Sequence, residues 1–207
     1  MIRTVFSGTG RKVLLSLGAL GVAGALAGMG TFATFTATTS ASQAVPSGTV
    51  VIALGNTGAS TNRLTVNASG LVPGDTIQRS FDLSNTGSQD LASIALTTTA
   101  SPSSLLDTDG TNGLQMVIDR CSAAWTESGS SPAFSYSCSG STTTIISTRA
   151  VIQSSLSMAG LSALTAAGSD HLRLTLTFPS TAGATFQGLT STLTYSFLGT
   201  QRNGSAH

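Results

Sequence analysis

The chain has 207 residues, a formal net charge of +1 and only 8% charged residues, against about a quarter in an average globular protein. This length fits one domain. The sparse charge excludes a basic surface able to neutralise nucleic-acid phosphates, so nucleic acid is not an expected partner.

The first predicted element is a targeting segment. Arg3, Arg11 and Lys12 precede the apolar run Val13–Gly28, VLLSLGALGVAGALAG, and small residues follow it. A basic start, an apolar run of this length and a small-residue stretch describe a secretory signal over 1–34, with cleavage between Thr34 and Phe35. The alternative is a retained membrane anchor, which calls for about 20 apolar residues rather than a short run rich in Gly and Ala. Cleavage removes three cations and leaves six Arg, no Lys and eight acidic residues, a balance of −2. Lys12 is the only lysine, so cross-linking through a lysine amine is closed to the cleaved chain.

Strand patterns follow in sequence. GTVVIALG places Val50, Ile52 and Leu54 on one face, and RLTVNASG places Leu64 and Val66. TIQRSFDL sets Ile77, Phe81 and Leu83 against Thr76, Gln78, Ser80 and Asp82, with Arg79 interrupting the apolar face as a snorkelling side chain or a bulge. SIALTTT, LQMVID, LRLTLTF and STLTYSF continue the alternation, LRLTLTF most regularly. A period of two with polar partners predicts antiparallel strands buried on one face. Gly and Asn turns separate them, as at Pro73-Gly74-Asp75, Asn85-Thr86-Gly87 and Asn112-Gly113. The fold expected over 48–200 is therefore an all-β antiparallel jelly roll or β-sandwich of about eight strands. Met158, Leu161 and Leu164, three apart, suit a short helical turn in an otherwise loop-like stretch, and the chain from Gly199 onward reads as a frayed tail, 201–207 lying beyond the domain.

Cys121 and Cys138 follow the signal, so an oxidising compartment and a disulfide are expected. The bridge would pin the polar stretch SAAWTESGSSPAFSYS. A two-cysteine metal site at this spacing has too few ligands. Trp125 and Tyr136 between the cysteines serve either as packing or as a carbohydrate-binding surface. Asp75, Asp82 and Asp90 read as turn and polar-face residues. Asp107 and Asp109, in DTDG, resemble the start of a calcium loop, but the twelfth position is Ile118 where an EF-hand needs Glu.

Catalytic signatures are scarce. His171 and His207 are the only histidines, and neither lies in a His-Glu-x-x-His pattern. No Gly-x-Ser-x-Gly elbow and no phosphate-binding glycine loop is present. The residues assign no catalytic group, no metal ligand and no cofactor.

The segments GMGTFATFTATTS, SGTVVIAL, ASGLVPGDTIQRSFDLSNTGSQDLASIAL and FQGLTSTLTYSFLGTQRNG, in this order, resemble the TasA/CalY family of secreted biofilm-matrix proteins, the camelysins. Gly30-Thr31-Phe32-Ala33 is similar to the signals handled by SipW-type signal peptidases. The cysteine-bearing middle looks like an actinobacterial version. The resemblance implies a secreted jelly-roll subunit of extracellular fibres or surface filaments, polymerising head to tail with itself, with other matrix proteins or the cell wall as further partners. Some members carry a metallo-endopeptidase label, and an adhesin or carbohydrate-binding module is a third reading. After cleavage the N-terminus would be FTATTSASQAV, within the segment 35–47. It is uncharged, with Phe35, Ala37, Thr39 and Ala41 on one side when extended. That segment has strand propensity but few large apolar groups to hold it to its own domain, so it is the expected polymerisation strand.

Overall fold

Alternation of large apolar residues with Thr and Ser builds two packed sheets. The structure is a computed structural model that describes residues 49–68 and 70–204. The expected signal, its expected Thr34/Phe35 cleavage point, the residues Phe35, Ala37, Thr39 and Ala41 expected to polymerise, and His207 lie outside the described residues.

The strands are β1 Ile52–Leu54, β2 Val66–Ala68, β3 Thr76–Asn85, β4 Leu91–Ala100, β5 Gln115–Cys121, β6 Thr126–Ser130, β7 Ala133–Ser137, β8 Thr142–Ala150, β9 Gln153–Ser157, β10 Ser169–Thr177 and β11 Ser191–Gln201. One sheet has the order β1-β3-β10-β5-β8, the other β2-β11-β4-β9, and β6 pairs only with β7. All pairings are antiparallel. Without β1, β6 and β7, the remaining eight strands fall into the interleaved order of a jelly roll, first-eighth-third-sixth over second-seventh-fourth-fifth. β1 is an addition to the β3 edge, and the β6–β7 hairpin is an insertion between β5 and β8.

The core lies between the two sheets. Leu172, Leu174 and Leu176 of β10 face inward beside Phe81 and Leu83 of β3 and Met116 and Ile118 of β5; Ile94 and Leu96 of β4 face them, all at most 1% exposed. Phe81 and Phe197 meet across the sheets with centroids 5.3 Å apart. The turn after β3 is fixed by Asn85, whose Oδ1 accepts from Gly87 N at 2.9 Å and whose Nδ2 donates to Gln89 O. A Cβ at Gly87 would come within 2.3 Å of Thr49 O, so only glycine lets the chain before β1 run alongside this turn.

Several expectations are corrected. The polar stretch between the cysteines is the β6–β7 hairpin, and β8 and β9 are strands that apolar spacing did not mark. The expected helical turn shrinks to a 3-10 turn at Ser162–Leu164, because the residues before it belong to β9. Asp107 ends up inside a short helix, α1 Leu105–Thr108, rather than in a simple turn. β11 runs through Gln201, three residues into the stretch read as tail, and Arg202 N donates to Asp90 O. Arg79 lies in regular β3 pairing with Leu174 and makes no bulge.

Candidate functional site

Most of the polar residues singled out by the sequence hold loops. Asp75 Oδ2 accepts from Val72 N, closing the Pro73-Gly74 turn. Asp90 Oδ1 accepts from Ala166 N at 2.8 Å, tying two loops together. Asp107 completes a capping box with Ser104 at the start of α1 and also accepts from the Ser103 and Ser191 hydroxyls. Burial alone would push its carboxyl up, but these hydroxyl and backbone bonds hold it below the ordinary carboxylate range. Asp109 Oδ1 takes Thr111 N and Asn112 N, and these backbone donors lower its pKa as well. Both Asp107 oxygens and Asp109 Oδ1, which a calcium ion would use here, are bonded to the chain itself.

His171 on β10 stands opposite Asp82 on β3, with Nδ1 2.7 Å from Oδ1. Among the described residues no serine hydroxyl bonds to the ring, so a nucleophile–base pair is not assembled. Asp170, 0% exposed in its side chain, faces the other way. It accepts from Ser162 N and Ala163 N and pairs with Arg120 at 3.3 Å. Among the described residues no three His, Cys, Asp or Glu side chains converge as a metal site. A zinc centre needs three protein ligands beside an open position. The His171–Asp82 pair offers one imidazole and one carboxylate already bonded to each other, which does not fit.

The outer face of the first sheet carries a second, smaller cluster. Cys121 at the end of β5 is bonded to Cys138 just beyond β7, which is the expected pairing. The bridge lays the β6–β7 hairpin over β3 and β10. Trp125 Nε1 donates to His171 O, and the Arg173 guanidinium lies 4.4 Å from the Trp125 ring centroid while holding Asp119 at 2.8 Å. Tyr136 N donates to the Gln78 side chain. Trp125 and Tyr136 are 9% and 6% exposed, so the aromatics between the cysteines are packing and present no open sugar-binding platform. One residue into β6, Glu127 receives Arg63 through two bonds, 2.7 and 3.0 Å, and the Tyr136 hydroxyl at 2.8 Å. The Arg63 bond leads in lowering the Glu127 pKa, burial opposes it, and Tyr136 adds to it.

The sheet edges differ in how they are closed. β1 and β2 have three residues each. β9 has five, and its register shifts near Ser155, whose φ is +49°. Short and kinked edges resist further pairing. β8 is different. Its nine residues, TTTIISTRA, bond to β5 on one side and, among the described residues, to no strand on the other. Apolar alternation did not reveal this strand, because Ile146 is its one fully buried side chain. Its β-branched run Thr142–Ile146 was the available signal.

The family model described as camelysin metallo-endopeptidase matches residues 10–206. The chain belongs to the camelysin family. That membership bears out the resemblance to the TasA/CalY proteins, while the metallo-endopeptidase of the description finds no ligand set among the described residues of this camelysin-family chain. No curated protein matches the chain. Among the described residues no helix is long and apolar enough to cross a membrane.

Proposed function

We propose that the chain is a secreted structural subunit that polymerises head to tail into extracellular matrix fibres or surface filaments, the N-terminal segment of one copy adding to an edge of the next. A signal peptidase of the SipW type would release Phe35 as the first residue. The observation that carries the reading is the nine-residue edge of β8, which pairs with no further strand among the described residues, although two register shifts interrupt it. An open edge recruits strands, and a contact that does not close on itself grows into a fibre. The lengths agree: nine residues of strand span about 30 Å, and the eleven residues 35–45 reach about 36 Å when extended. Electron microscopy of the cleaved protein should show fibres. Deletion of 35–45, or Ser147→Lys on β8, should leave folded monomers. Fibres formed as readily by both variants as by the parent would overturn strand donation to β8. N-terminal sequencing of the secreted protein should begin at Phe35.

The family description favours a second reading, a secreted metallo-endopeptidase. Casein cleavage abolished both by a zinc chelator and by His171→Ala would establish it. Under the structural reading neither treatment has an activity to remove.

A further inference from the structure

Arg79 is a buried cation with no carboxylate of its own. All eight acidic residues fall within the described residues, and each is engaged elsewhere. Glu127, Asp119 and Asp170 hold Arg63, Arg173 and Arg120, and Asp82 holds His171. Asp75, Asp90, Asp107 and Asp109 accept from backbone N–H groups. Arg79 is 7% exposed, and its Nη1 donates to Gln78 O at 2.7 Å. Burial of a guanidinium without a counter-ion is unfavourable, and here desolvation pulls its pKa below the usual arginine value. The Phe134 ring, 5.5 Å away, offers some compensation, but Arg63 occupies the same ring at 4.5 Å. The Tyr195 hydroxyl, held un-ionised by burial but within reach of the Arg79 charge, has no hydrogen-bond partner among the described residues.

There is room for a ligand beside this group. A cleft of about 350 Å³ is lined by Leu71, Asp75, Thr76, Ile77, Arg79 and Pro132 among others, within the size range of small-ligand pockets; the Asp75 carboxylate in it accepts from Val72 N. Arg79 also lines a second cleft beyond the hairpin tip, beside Arg63 and Phe134. The backbone next to the larger cleft is open in part, Gln78 O already being held by Arg79 Nη1. Ser80 O accepts from Arg63 N and Asp82 N donates to Thr61 O, so the even-numbered residues of β3 direct their backbone groups away from β10. At Thr76 and Gln78 that side meets no strand among the described residues, since β1 pairs only with residues 83–85.

We propose that Arg79 anchors a binding site for an acidic peptide segment, whose Asp or Glu carboxylate pairs with the guanidinium while its backbone lies along the open Thr76–Gln78 edge. A guanidinium takes a carboxylate through two parallel bonds, and an extended chain along a strand edge supplies the remaining partners. The N-terminal segment 35–45 contains no acidic residue, so this occupant differs from the one in the fibre contact, and the two readings stand or fall separately.

The test is NMR titration of isotope-labelled cleaved protein with three probes: N-acetyl-Ala-Glu-Ala-amide, the same tripeptide with Gln, and sodium acetate at matched ionic strength. The acidic tripeptide should shift the Thr76–Arg79 amides and the Phe134 ring saturably, with affinity at least about tenfold above the Gln peptide, as expected for a charged against a neutral acceptor. Arg79→Met should abolish the shifts and Arg149→Gln should leave them unchanged. Equal shifts from the Glu and Gln peptides, or undiminished binding by Arg79→Met, would overturn the proposal. Acetate binding as tightly as the acidic tripeptide would overturn the peptide assignment. Should Arg79→Met fail to fold, the Glu-to-Gln ratio in the parent protein still decides.

Discussion

Asp107 joins three pieces of chain through one carboxylate: the Ser103–Ser104 turn, the start of α1, and Ser191 at the head of β11. Replacing it with Ala removes a cap and leaves a buried hydroxyl short of a partner. The expected loss is about 1–3 kcal/mol in urea denaturation. Its pH signature has a definite sign. Asp107, Asp109 and Glu127 all have folded pKa values below their ordinary ones. Their contribution is complete above the ordinary carboxylate range, at about pH 5 and higher, and is lost as pH falls through the depressed values. Stability measured from pH 7 downward should therefore stay flat and then drop below about pH 4, with a shallower drop in Asp107→Asn. Calcium should not raise the melting temperature, because both Asp107 oxygens and Asp109 Oδ1 are already bonded to protein donors. The sequence could mark both aspartates as loop residues, but the partners Ser103 and Ser191 lie on separate segments, and Ser191 is more than eighty residues away along the chain.

At the scale of elements, legibility followed apolar burial. β3, β4, β5, β10 and β11 alternate large apolar side chains with smaller or polar ones because one face meets the core, and that alternation is visible without a structure. β6, β7 and β9 bury few large side chains, so nothing forces a period of two on TESGS, AFSYS or QSSLS. The hairpin is held by the disulfide, the Arg63–Glu127 pair and backbone pairing. Its tight tip depends on Gly129, at φ +82°, where a Cβ would sit 2.4 Å from Ala133 O. Replacing both cysteines with Ser should lower stability by about 3 kcal/mol for a loop of this length. Hydrogen exchange should rise across β6 and β7 and stay slow in β3 and β10. In the parent protein, mass spectrometry without reductant should find no free thiol. Leu174→Ala, at the middle of β10 and 0% exposed, should cost about 2–5 kcal/mol, because a cavity opens where neither sheet can collapse.

At the scale of the molecule, the all-β class, the jelly-roll expectation and the disulfide were readable from spacing, turns and cysteines. Strand order was not, because pairing partners are set by which faces meet in space. The carboxylate shortage at Arg79 was likewise invisible. Eight acids and six arginines after residue 34 look adequate as a count, and only their placement shows that one buried guanidinium receives none of them.

The interleaved strand order governs when this chain is able to fold. Each step between successive jelly-roll strands changes sheet, except the one from β5 to β8. The two strands contributed last, β10 and β11, occupy interior positions, β10 between β3 and β5 and β11 between β2 and β4. Until they arrive, the earlier strands have no centre to assemble around, and such long-range pairing is slow to form. A chain truncated after Gly168 should show no cooperative thermal unfolding. For a polypeptide that is threaded N-terminus first across a membrane, this ordering keeps the emerging length unfolded until nearly all of it has passed. The topology itself would delay folding during any such passage.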